Sequence, residues 1–106
     1  MGTLTYGGTT SYDFDDRTLL HLQLAIASKL RRHESFLLTW QRDQDASGGR
    51  LSIWLDRAIP LVFEFTSNDR PRLNPQWIER LVSTSHRPSG MALTAEAVTD
   101  PLPIEG

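Results

Sequence analysis

Asp13, Asp15, Asp16, Arg17 and His21 crowd chemistry-bearing side chains into one short stretch of this 106-residue chain. Asp-x-Asp spacing suits a hard cation such as Mg2+ or Ca2+, and a carboxylate beside an imidazole is raw material for acid–base catalysis. A polar site of Asp13, Asp16, Arg17 and His21 is therefore one reading. Against it, a carboxylate just before a helical pattern is an N-cap, and Asp15 or Asp16 meets that need without a metal. The full EF-hand loop pattern is absent, and His21, His33 and His86 are scattered with no His-Glu-x-x-His pair. The sequence thus implies no metal and no cofactor.

Other catalytic patterns fail in the same way. Gly7-Gly8-Thr9-Thr10-Ser11 lacks the Gly-Lys-Ser/Thr end of a phosphate-binding loop and leads into a strand pattern, so it reads as a hairpin turn. Ser89-Gly90 is no nucleophile elbow. There is no cysteine, which removes disulfides, thiolate metal sites and thiol nucleophiles together. An acid–base pair brought from distant elements, such as Asp13 with Glu34, leaves no mark in a sequence. No catalytic residue is assigned, and an enzyme with a site near the start of the first helix stays an alternative.

Arginine carries the basic charge, with Lys29 the single lysine. Arg31 and Arg32 close one helical pattern while Arg70, Arg72, Arg80 and Arg87 bracket another, and Trp40, Trp54 and Trp77 offer rings on which bases stack. A nucleic-acid-associated accessory protein is accordingly a second alternative. The net charge of -2 and a pI near 5.8 oppose it. So do the core positions of Trp40 and Trp77.

The elements that must position these groups follow from periodicity. Thr3 to Tyr6 and Ser11 to Phe14 form an N-terminal β-hairpin, with Leu4 and Tyr6 set against Tyr12 and Phe14. A long helix then carries Leu19, Leu22, Ile26 and Leu30 on one stripe and Leu20, Leu24 and Ala27 on a second, implying burial on two sides. Alternation marks strands at Ser35 to Gln41, Arg50 to Leu55 and Ile59 to Phe65, with Arg42 to Gly49 as a turn. Three successive strands imply a three-stranded antiparallel meander, with Pro60 at a strand start or edge. Asn74-Pro75 opens a second, shorter helix with a Trp77, Ile78, Leu81 and Val82 stripe, and Met91 to Thr94 adds a brief strand or extended segment. The fold class is α+β, one domain over residues 1–95 with 96–106 as a flexible, extended tail.

Alternation also turns Trp54 away from Leu51, Ile53 and Leu55, onto a face shared with Val62 and Leu37. Something must cover that face. The hairpin or the tail can do so within one chain, but the preferred reading is the same surface of a second subunit, giving a homodimer. No apolar run approaches the roughly 18 residues of a membrane span, and the first residues carry no leader pattern. Met1-Gly2 lacks the Ser or Thr at position six of a myristoylation signal, having Tyr6. A cytoplasmic protein without membrane contact is expected.

Several segments together resemble one group of small proteins: Met1-Gly2-Thr3-Leu4-Thr5-Tyr6-Gly7, Phe14-Asp15-Asp16-Arg17-Thr18-Leu19, His21-Leu22-Gln23, Lys29-Leu30-Arg31-Arg32, Glu34-Ser35-Phe36, Ser52-Ile53-Trp54-Leu55 and Ile59-Pro60-Leu61. The chain resembles an uncharacterised actinobacterial family of about this length, some of whose members are called ATP-dependent DNA ligases. Adenylation requires a lysine nucleophile in a Lys-x-Asp-Gly setting within a much larger nucleotide-binding domain. Lys29 is followed by Leu30-Arg31-Arg32, so the sequence does not support the ligase name. The leading expectation is a non-catalytic interaction or self-associating domain.

Overall fold

Gly7 and Gly8 adopt φ of 64° and 80°, left-handed values that cost an L-residue about 1–2 kcal/mol, and they reverse the chain between the first two strands. The computed structural model describes residues 1–41, 49–69 and 71–96. The hairpin strands are β1 (Gly2–Tyr6) and β2 (Thr10–Phe14), with Leu4 opposite Tyr12 and Gly2 opposite Phe14.

Helix α1 (Asp16–Arg31) begins where Asp15 accepts the Thr18 amide at 3.1 Å. It ends in a Schellman closure: the His33 amide bonds the Leu30 carbonyl, and the Glu34 amide bonds the Lys29 carbonyl. His33 takes the left-handed position that glycine usually fills, with φ 62°. Strands β3 (Phe36–Gln41), β4 (Arg50–Leu55) and β5 (Leu61–Glu64) follow. Helix α2 (Pro75–Thr84) starts with Asn74 as cap and Pro75 in its first turn, and β6 (Met91–Ala92) closes the order.

This is the expected mixed α+β chain with two helices, but its strands do not form one meander. They make two three-stranded sheets, ordered β2-β1-β5 and β4-β3-β6. Strands β3 and β4 pair as adjacent antiparallel neighbours, whereas β5 leaves β4 and pairs with β1, Thr3 opposite Glu64. The Asp56 carboxylate turns the chain by accepting the Ala58 amide at 2.9 Å, and the Asp56 carbonyl accepts the Ile59 amide at 3.0 Å. Beyond Pro60, whose carbonyl holds the Gly7 amide, the chain runs along the free edge of β1. Strand β6 lies parallel to β3, Leu38 opposite Met91. The Arg42 to Gly49 turn lies outside the described residues except for Gly49.

One core joins both sheets and both helices. Trp40 of β3 receives Tyr12 and Phe14 of β2 edge-on, with ring centroids at 5.1 and 5.3 Å. Leu4, Leu19, Leu22, Ile26, Leu38, Leu55, Leu81 and Met91 are fully buried around it. Helix α1 presses on β1 so closely that a Cβ at Gly2 would come within 2.7 Å of Leu19 Cδ2 and 2.8 Å of the Glu64 carbonyl. Its second stripe is only half-buried, since α2 covers another side of the helix. No helix among the described residues is long and apolar enough to cross a membrane.

Candidate functional site

The acidic and basic groups at the start of α1 face four different partners. Asp13 accepts from Thr3 Oγ1 at 3.2 Å on the outer surface of the hairpin. Asp16 accepts the Thr66 amide and hydroxyl at 3.1 and 2.9 Å, tying α1 to the segment after β5. Burial pushes the Asp16 carboxyl up, yet the Thr66 hydrogen bonds outweigh it and hold the group below its ordinary value. Arg17 turns elsewhere: Nε and Nη2 form a fork on Glu96 at 2.7 and 2.6 Å, and Nη1 donates to the Arg72 carbonyl at 2.7 Å.

His21 is fully buried and stacked on Trp77 at 4.7 Å. Its Nε2 accepts the Asn74 amide at 2.8 Å, so Nδ1 carries the hydrogen and donates to the Arg17 carbonyl, also at 2.8 Å. The imidazole is thereby a strut between the two helices, with both nitrogens spent on backbone. Asp16 and His21 are thus engaged apart from each other, while Asp13 and Arg17, with Asp15 and Glu96, line one open pocket of about 580 Å³. Among the described residues no group of three or more ligand side chains could hold a metal ion.

Glu96 is the member that periodicity does not reveal. It receives Arg17 and also the Asn74 side-chain amide at 2.9 Å. The Arg17 fork first, then Asn74, lower its carboxyl to about 2. The same pair raises Arg17 above its usual value. Trp77 Nε1 donates to the Thr94 carbonyl at 3.1 Å, so the segment following β6 is strapped across α1 and α2. The placement of Glu96 is the first step of the stretch read as a tail, and residues 97–106 lie outside the described residues.

Lys29 is 3% exposed and bonded to Glu34 at 2.5 Å, with the Phe36 ring 5.8 Å from its Nζ. The Lys29 hydrogen bond is the main cause that lowers the Glu34 carboxyl. A buried, paired lysine is no free nucleophile, and Glu34 is engaged there instead of meeting Asp13.

Arg31 closes α1 and Arg32 caps it with Nε 3.6 Å from Glu34, while Arg72 precedes α2, Arg80 lies on it and Arg87 follows it. Arg31, Arg32, Arg72, Arg80 and Arg87 are all exposed, while Arg70 lies outside the described residues. Arg72 sits at the Arg17 end of α2. Arg87 follows the opposite end, where neighbouring His86 is near enough to Glu34 to help lower its carboxyl. Trp40 and Trp77 are buried, which withdraws two of the three stacking rings.

The remaining ring is exposed. Trp54 is 50% accessible on the outward face of the second sheet, directly opposite Leu37 in the β3–β4 register. Val62 is also half exposed, but it stands on the other sheet opposite Thr5, so the expected Trp54–Val62 neighbourhood does not form. The cause is again the departure of β5 from β4. Leu37 with Trp54 is the part of that surface which survives. A separate groove of about 640 Å³ opens along the half-buried side of α1, with Leu20, Leu24, Phe65 and Leu73 in its walls and Asp16 and Asp69 on its polar side.

Residues 1–96 match the model of a family described as a domain of unknown function (DUF7882), and the chain belongs to that family. No curated protein and no solved structure matches it.

Proposed function

We propose that this DUF7882 member is a non-catalytic self-associating module, a homodimer joined through its second sheet at the exposed Trp54 beside Leu37. The observation that carries this reading is a tryptophan left 50% exposed across from a leucine on one sheet face. Tryptophan buries roughly 150–250 Å² when covered and is the residue most enriched among binding hot spots. Nearby Thr39 and Ser52 satisfy each other at 2.8 Å, and Thr39 also donates to the Ser89 carbonyl at 3.0 Å, so covering them leaves no hydroxyl stranded. The titratable groups elsewhere are engaged in caps and straps, which supports a binding role over a reaction.

Size-exclusion chromatography with light scattering tests this directly. Wild type is expected to elute with twice the chain mass and Trp54→Arg with the chain mass, both keeping the same far-ultraviolet dichroism. A wild-type monomer at high micromolar concentration overturns the proposal.

A further inference from the structure

Among the described residues four strands have an outer edge: β2 and β5 in the first sheet, β4 and β6 in the second. Exposed edges are normally made short, charged or proline-blocked, because their unpaired amides and carbonyls recruit other strands. Strand β6 has two residues, β5 has four, preceded by Pro60 and ending in Glu64, and β2 carries Asp13. Strand β4 spans six residues, Arg50-Leu51-Ser52-Ile53-Trp54-Leu55, with no proline and no acidic side chain. Among the described residues no backbone other than β3 pairs with it.

Tyr6 shows where its free backbone groups point. The tyrosine hydroxyl donates to the Trp54 carbonyl at 2.7 Å, so that carbonyl is turned away from β3. By the two-residue period of a strand, the outward-turned groups are those of Trp54, Ser52 and Arg50. Tyr6 also ends the open stretch at Trp54. Ser52 is the midpoint of what remains, the amide and carbonyl of Arg50 and Ser52 with the amide of Trp54.

That stretch is its own complement when read antiparallel. We infer that two copies join their β4 strands edge to edge about a two-fold axis at Ser52, continuing the β4-β3-β6 sheet across the dimer. Ser52 then faces the partner subunit's Ser52, and Arg50 lies over the partner subunit's Trp54, with the reciprocal pair on the other side of the axis. Arg50, Ser52 and Trp54 are all exposed and share one face, so the pairing places a guanidinium on an indole in a cross-strand position. Both copies contribute identical groups, as a closed two-fold contact requires. This rests on the self-association reading but names its geometry: strand beside strand, in place of one sheet face stacked on another.

The chain contains no cysteine, so single-cysteine variants report proximity without background. Ser52→Cys brings two thiols directly opposite, within disulfide reach. Thr39→Cys lies on the same face one strand back, and β3 of the two copies is separated by three strand spacings, roughly 14 Å, which a disulfide cannot bridge. Under a mild oxidant, Ser52→Cys is expected to form covalent dimer at least about tenfold faster than Thr39→Cys, at equal protein concentration and with unchanged mass under reducing conditions. Arg50→Ala is expected to weaken the dimer about two- to fivefold. Equal cross-linking of the two variants, with the light-scattering dimer intact, overturns the edge pairing and leaves face-to-face association standing. A wild-type monomer overturns both, and dimers that persist in Trp54→Arg, which sets like charges across from each other, overturn the surface itself.

Discussion

On the outward face of the first sheet, Thr3 donates to Asp13, Thr5 and Ser11 share a hydrogen bond, and Glu64 stands opposite Thr3, so Val62 is alone among polar neighbours. On the second sheet the corresponding face puts Leu37 against Trp54, with the Thr39–Ser52 pair beside them. Both sheets bury their inner faces in one core, and both are three strands wide. They differ in what they offer to water. A polar face closed by its own cross-strand bonds gains nothing from a partner, whereas an apolar pair gains from every Å² removed from solvent.

The largest effect should come from breaking the joint between the sheets. Trp40→Ala removes the ring that receives Tyr12 and Phe14 and is expected to cost about 3–5 kcal/mol in urea unfolding. If the sheets were independent, the loss would be confined to one of two transitions. Next comes Gly2→Ala, which forces a methyl against Leu19 and the Glu64 carbonyl between α1 and the first sheet, for a loss of about 1–3 kcal/mol by the same measurement.

Acid should then loosen the second sheet's strap. Glu96 is held at about 2, against an ordinary value of 4.5. A depressed carboxylate contributes stability fully above its unfolded value and loses it as pH falls through the folded one. The Arg17–Glu96 contribution is therefore present above about pH 4.5 and lost progressively toward pH 2. Glu96→Gln should be less stable than wild type at neutral pH, with the difference shrinking across that window in acid titrations of the unfolding midpoint. A difference that grew with acidity would contradict the strap. The smallest effect belongs to the polar face, where Thr5→Ala should leave stability within about 0.5 kcal/mol and the assembly mass unchanged. Leu37→Ala, the matching truncation on the second sheet, separates the two contacts in light scattering: the balance shifts toward monomer if sheet faces stack and stays unchanged if β4 joins β4.

Much of this architecture is legible in local pattern. A cap at Asp15 or Asp16 and another at Asn74 are readable because a short polar side chain before an apolar stripe has few other uses, and the structure seats the first at Asp15. The alternation in β3 and β4 placed Leu38, Trp40, Ile53 and Leu55 inside and Trp54 outside, as found. Strand β5 shows the limit. Its alternation gave the buried side, Leu61 and Phe63 lining the core, and was silent on whether β4 or β1 would supply its hydrogen bonds. The polar residues near α1 show the same limit from the other side. Their crowding in sequence suggested one site, while their side chains leave the chain toward Thr3, Thr66, Glu96 and Asn74.

Taken by itself, the order of residues determined the element types, the caps, the glycine turn and the solvent-facing position of Trp54, because each depends on neighbours within a few residues. Tertiary structure alone decided the split into two sheets, the parallel seating of β6, the burial of Lys29 on Glu34 and the Arg17–Glu96 strap. Those contacts depend on which free strand edge or unsatisfied charge a distant segment reaches as the core closes. No local period encodes that choice.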